Sequence, residues 1–165
     1  RVGLASAKGL AFALNKPLIG LSTLTLLAKA AVGHLTATEN PLVNEKHLQV
    51  FSMIDARRME IFGAIYNSSL EYLAAEKAMI LDEALLHALL SNGPLICIGS
   101  GVAKTKILTQ HADFQNSSPL FLDYSYTIHD MAALAMIKFK AADFEDLAYS
   151  GPAYLKDYYQ KPLIK

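Results

Sequence analysis

The sequence predicts an α/β protein built on a mixed sheet, and three features carry that prediction. Residues 49–66, QVFSMIDARRMEIFGAIY, are two apolar runs rich in Ile, Phe, Val and Tyr separated by a short charged turn, the pattern of an antiparallel hairpin. Residues 95–98, Leu-Ile-Cys-Ile, run directly into Gly99-Ser100-Gly101 and then a helical pattern, a strand-to-helix turn. Between and around these lie leucine-faced helices with capping residues, and helices alternating with short apolar strands make layers on a sheet.

Taken in order, residues 4–14 are small or apolar on nearly every side, with Ala5, Ala7, Gly9, Ala11 and Ala13 among Leu4, Leu10, Phe12 and Leu14. A helix apolar all round is expected to be buried all round. Residues 17–20, Pro-Leu-Ile-Gly, read as a short buried strand after a proline stop. Ser22 or Thr23 caps a second helix carrying Leu24, Leu26, Leu27 and Ala31 and closed by Gly33. Residues 34–46, with Asn40-Pro41, read as a polar connection and a lobe boundary.

The hairpin strands lack clean alternation: Val50, Phe51, Met53 and Ile54 crowd together, as do Ile61, Phe62, Ala64 and Ile65. Strands apolar on both faces belong inside a covered sheet. Residues 67–77 read as a polar bridge ending in Ala78-Met79-Ile80. Asp82 caps a helix with Leu85, Leu86, Leu89 and Leu90 on one face, stopped by Asn92-Gly93-Pro94. A weak strand is expected at 120–122. Thr127 and Asp130 approach a capping box and open a helix with Ile128, Met131, Ala132, Ala135 and Phe139 on one face. The aromatic tail, Pro152-Ala153-Tyr154-Leu155-Lys156-Asp157-Tyr158-Tyr159, is expected to dock on the body.

Composition narrows the function classes. The 165 residues are 53% hydrophobic and 18% charged, enough to bury a core, and 15 basic side chains balance 15 acidic ones. Such a chain has no broad electrostatic footprint for nucleic acid or acidic lipid. No stretch approaches an uncharged membrane span, and Lys8 interrupts the only signal-like run. The single cysteine, Cys97, has no internal disulfide partner and reads as a small core residue of a cytoplasmic protein. The chain opens at Arg1 on a helical pattern with no preceding strand, which reads as the middle of a larger protein.

Two places could carry chemistry. Asp55-Ala56-Arg57-Arg58 at the hairpin tip reads either as an anion or nucleotide site, since paired guanidiniums match phosphate oxygens, or as a turn whose arginines pair with Asp55 and Glu60. Gly99 and Gly101 around Ser100 sit where ligands bind in open α/β sheets, or simply make a tight turn. Lys104 and Lys106 beyond them are too few for a basic patch. Of the five histidines, His34, His47, His87, His111 and His129, no two lie three or four residues apart, so no helix face offers an imidazole pair to a metal.

The segments RVGLASAKGLAFALNKPLIGLSTL, IDARRMEIFGAIY and GPAYLKDYY resemble, in order and spacing, the bacterial tRNA threonylcarbamoyladenosine biosynthesis family TsaB, or YeaZ. These are the non-catalytic paralogues of TsaD, often called glycoprotease-like or peptidase M22 proteins. The match is most specific at Asp55-Ala56-Arg57-Arg58 and Tyr154-Leu155. Arg1 resembles the last residue of the family's Gly-Pro-Gly-Ser-Phe-Thr-Gly-Leu-Arg motif, and the part of the family before it has no counterpart here.

The resemblance implies an actin-like ATPase fold of two ribonuclease H-like lobes, with 1–44 the remainder of an incomplete N-terminal lobe and 45–165 the C-terminal lobe. It implies a scaffold subunit, without catalysis, cofactor or metal of its own, acting beside a TsaD-like catalytic subunit and a TsaE-like ATPase. Together these place a threonylcarbamoyl group on the adenosine next to the anticodon, and the chain meets tRNA only through the complex. The pairing surface, toward TsaD or a second copy of the chain, falls on Leu4, Ala7, Lys8 and Ala11. The superfamily's phosphate-binding hairpin carries glycines where this chain has Ala56, Arg57 and Arg58, so Asp55, Arg57, Arg58, Gly99 and Gly101 mark a degenerate nucleotide cleft. The rival expectation is an active ATP-binding or metallopeptidase member of the same superfamily.

Overall fold

The computed structural model of the chain describes residues 2–111, 114 and 118–156, and in them the 49–66 segment is an antiparallel hairpin. Its strands are β1 (Gln49–Asp55) and β2 (Glu60–Tyr66), paired from Val50 opposite Tyr66 to Asp55 opposite Ile61. Five residues of β1 in a row are buried, as non-alternating apolar strands require. The helix α1 (Val2–Ala13) and the helix α2 (Thr23–Ala37) precede the hairpin. After it come β3 (Tyr72–Ile80), α3 (Glu83–Ser91), β4 (Leu95–Ile98), α4 (Val102–His111), β5 (Leu120–Leu122) and α5 (Ile128–Lys140).

The strands form one mixed sheet in the order β3-β2-β1-β4-β5, antiparallel on the hairpin side and parallel where β4 meets β1 and β5. Helix α2 covers one face with Leu24, Leu27, Ala28, Ala31 and Leu35 against Val50, Ala64, Tyr66, Ile96 and Ile98. Leu86 and Leu89 of α3 and Val102 of α4 cover the other, against Phe51, Met53, Ile61, Ile65 and Cys97. Helix α2 lies N-terminal to residue 44, yet its buried face completes this core. No helix among the described residues is long and apolar enough to cross a membrane.

The capping residues act as their chemistry requires. Ser22 Oγ accepts the Leu24 and Thr25 N–H groups, Asp82 Oδ1 accepts that of Leu85, and Thr127 with Asp130 forms a reciprocal capping box. Several expectations fail for identifiable reasons. Residues 17–20 form no strand: the Leu18 carbonyl takes one hydrogen bond, from the Glu145 N–H at 2.8 Å, and no ladder runs beside them. Helix α2 does not stop at Gly33 but continues to Ala37, because Leu35 in its last turn is buried at 1% exposure. The 34–46 connection is therefore shorter than expected and contains a 3-10 turn, Pro41–Asn44, capped by Asn40.

The polar bridge expected at 67–77 is largely strand β3. It is an edge strand, exposed along one side, and tolerates Glu76 and Lys77 where a central strand would not. Helix α5 is rotated from the expected face. Leu134 is buried, while Ile128, Met131, Ala132 and Phe139, on the apolar face the sequence marks, are exposed and Ala135 is half-buried. Its packing on α2 sets that rotation.

Helix α1 is not buried all round. Only Ala11 is buried, and Val2, Leu10 and Phe12 are 81%, 63% and 80% exposed. Leu4, Ala7, Lys8 and Ala11, spaced at i, i+3, i+4 and i+7, form its more covered stripe, and Lys8 Nζ donates to the Ser150 carbonyl at 2.7 Å. In the tail, Leu155 packs against the α2-side core and Lys156 pairs with Glu60. Arg1, the side chain of His111, and Asp157, Tyr158 and Tyr159 lie outside the described residues.

Candidate functional site: the hairpin tip and the glycine turn

Because β4 runs parallel to β1, the end of β4 delivers the Gly99-Ser100-Gly101 turn beside the tip that follows β1. The two candidate segments, more than forty residues apart, form one joint. The Asp55 N–H donates to Ser100 Oγ at 2.8 Å, and the Gly101 N–H donates to the Met53 carbonyl at 3.3 Å. Both glycines are explained by this approach. Gly99 has φ +102°, and a Cβ on it would run into the Met53 carbonyl oxygen; a Cβ on Gly101 would stand 2.7 Å from Met53 Cβ. The turn is glycine-rich because β1 passes against it.

The tip itself is closed by backbone bonds from the Ala56 N–H to the Glu60 carbonyl at 3.1 Å and from the Glu60 N–H to the Arg57 carbonyl at 3.2 Å. Arg58 sits at φ +57°, in the left-handed region glycine prefers. The expected pairing of the arginines with Asp55 and Glu60 does not occur. Asp55 pairs with Lys104 and Glu60 with Lys156, whose Nζ reaches both carboxylate oxygens at 2.7 Å. Arg57 and Arg58 are exposed and border an open cavity of about 710 Å³ with Met59, Glu60, Ile80 and Lys156.

Lys104 is the residue that sequence reasoning missed. Its side chain is 13% exposed, and besides Asp55 its Nζ donates to the Ala56 and Glu60 carbonyls at 3.1 and 2.9 Å. A signal existed: a lysine in the first turn of a helix opposes the helix dipole unless an anion compensates it. The ammonium and the Ser100 hydroxyl therefore occupy the space between tip and turn.

A second cavity, about 420 Å³, lies between the start of α2, the sheet and the tail, lined by Ser22, Ile54, Phe62, Glu76, Leu155 and neighbours. Ser22 Oγ donates to the Glu76 carboxylate, as does Tyr72 OH at 3.0 Å. Tyr66 OH bonds Thr25 Oγ1 at 2.9 Å, and burial raises its phenol well above the ordinary value. Cys97, wholly enclosed, has its thiol pushed up to about 12 by burial. A thiol held protonated is no nucleophile. Among the described residues no three His, Cys, Asp or Glu side chains could hold a metal ion together.

The family model for TsaD, tRNA N6-adenosine threonylcarbamoyltransferase, matches residues 1–164. Two solved structures from Pseudomonas aeruginosa share the fold. One is described as an uncharacterized protein with similarity to peptidase YeaZ: TM-score 0.68, 20% identity, covering 94% of this chain and 67% of the other. The second is YeaZ, with TM-score 0.60, 20% identity, and coverage of 92% and 65%. The chain thus spans about two thirds of the length of these structures. No curated protein matches the sequence.

Proposed function

Since the chain belongs to the TsaD, tRNA N6-adenosine threonylcarbamoyltransferase, family, we propose that it serves tRNA threonylcarbamoylation as an accessory subunit of the TsaB type and performs no catalysis itself. The observation that supports this reading is the filled joint at the hairpin tip. A phosphate-binding hairpin needs open backbone N–H groups. Here the Asp55 N–H is taken by Ser100, the Ala56 N–H by Glu60, and the adjoining space by the Lys104 ammonium. Asp55, Arg57, Arg58, Gly99 and Gly101 are then the remnant of a nucleotide cleft held together as a structural joint.

In this proposal the working surface is one for partners: a TsaD-like catalytic subunit, a TsaE-like ATPase, or a second copy, with tRNA reached through the assembly in the cytoplasm. Helix α1 is its centre. Leu4, Ala7, Lys8 and Ala11 form the stripe nearer the body, and Val2, Leu10 and Phe12 stand outward beside them. The two-lobe division at residue 44 belongs to the same proposal, with α2 as the bridging element. Reconstitution of tRNA threonylcarbamoylation from the catalytic subunit and ATPase, with and without the full-length protein, tests it. Loss of modification without this subunit is expected. Undiminished modification in its absence would reject the scaffold role.

A further inference from the structure

The surroundings of the Lys104 ammonium are all oxygen. One end of the hairpin supplies the Asp55 carboxylate, the Ala56 carbonyl at 3.1 Å and the Glu60 carbonyl at 2.9 Å, and no other protein group bonds the Nζ among the described residues. An ammonium offers three hydrogens, and it meets three acceptors. A carboxylate and two converging main-chain carbonyls are also the donor set by which hard cations are held. The lysine arrives from a different element, the first turn of α4, so the cage and its occupant come from separate parts of the fold.

We propose that the hairpin tip is an oxygen-lined cation site that the chain fills with its own ammonium. The ligand class of the site is a primary alkylammonium, whose three N–H donors match the three acceptors. In the wild-type chain the Lys104 stem brings that cation in covalently, so an external one has no place there. The proposal deepens the filled-cleft reading and rests on it for its meaning, but not for its test, which concerns cation occupancy alone. Other charges face the site: Glu60 is already paired with Lys156, and Arg57 and Arg58 stand on the same tip. Those cations oppose binding of a divalent ion, so a primary ammonium is the better probe.

The experiment replaces Lys104 with alanine in the full chain and follows its thermal midpoint against added n-propylammonium chloride, with tetramethylammonium chloride at equal ionic strength as control. The midpoint is expected to fall on substitution and to rise with n-propylammonium but not with tetramethylammonium, which has no N–H to donate. The doubly substituted Asp55→Asn, Lys104→Ala chain is expected to lose that response. Absent rescue, equal rescue by both salts, or rescue that survives in the double variant would overturn the proposal. If Lys104→Ala does not fold, the wild-type chain decides by NMR. An ammonium bonded to three acceptors exchanges hydrogen slowly and gives a resolved lysine side-chain ¹H–¹⁵N signal at neutral pH. A Lys104 ammonium exchanging as fast as the surface lysines contradicts the cage.

Discussion

Ser100 Oγ receives the Asp55 backbone N–H at 2.8 Å, so one hydroxyl joins two segments that the chain separates by 45 residues. Neither residue reveals this alone; parallel pairing of β1 with β4 brings them together. Ser100→Ala leaves the Asp55 N–H without its acceptor and is expected to cost about 1 kcal/mol. Urea denaturation measures that cost, and hydrogen exchange at the Asp55 amide should accelerate locally. An unchanged exchange rate would show that the bond does not hold the tip.

The glycine turn gives an ordered pair of expectations. Gly99→Ala meets both a positive φ and the Met53 carbonyl, a backbone atom that cannot swing aside. Gly101→Ala meets the Met53 side chain and, at 3.4 Å, Ile61 Cγ2. Both are expected to destabilise, Gly99→Ala by more than about 2 kcal/mol and by more than Gly101→Ala. Denaturation midpoints of the two variants check the ranking.

Much of this was legible because it is local. The hairpin, Asp82, the Thr127–Asp130 box and strand β4 announce themselves through apolar runs and capping chemistry. What failed depended on neighbours. Residues 17–20 look like a strand, but pairing is non-local; β3 looks like a bridge because an edge strand keeps Glu76 and Lys77. The apolar face marked on α5 is not the one it buries because apolar residues occur on more than one side of it, and the exposed flank of α1 was missed for the same reason. At the site, Asp55 and both glycines were identified by type. Their partner Lys104 was passed over because one lysine carries no pattern, and the pairing of Glu60 with Lys156 spans 96 residues.

Arg58 adopts φ +57° while its guanidinium forms no ion pair among the described residues. The left-handed backbone costs a non-glycine residue about 1 kcal/mol. Arg58→Gly is therefore expected to stabilise the chain by up to that amount, offset in part by the added freedom of the unfolded glycine. Arg57→Ala is expected to change stability by less than about 0.5 kcal/mol. Thermal denaturation of both variants distinguishes a tip held by Lys104 and Ser100 from one held by its arginines.

The Cys97 thiol sets an alkaline limit. An unfolded cysteine ionises near ~8.5, whereas the folded thiol is pushed up to about 12. Between those values the unfolded chain gives up a proton that the folded chain keeps. Stability is thus full below the unfolded value and falls as pH rises, by at most about 1.4 kcal/mol per pH unit from this group. Tyr66, raised in the same direction, adds its own loss at higher pH. Urea denaturation at several alkaline pH values should show a shallower decline for Cys97→Ala than for the wild-type chain.

The most direct test of the proposed non-catalytic role is calorimetric titration of the full-length protein, alone in solution, with Mg-ATP. A tip whose Asp55 and Ala56 N–H groups are taken by Ser100 and Glu60, with the Lys104 ammonium beside them, is expected to give no heat beyond dilution. Tight stoichiometric binding by the protein alone would contradict the proposed filled cleft and favour an active ATP-binding member of the family.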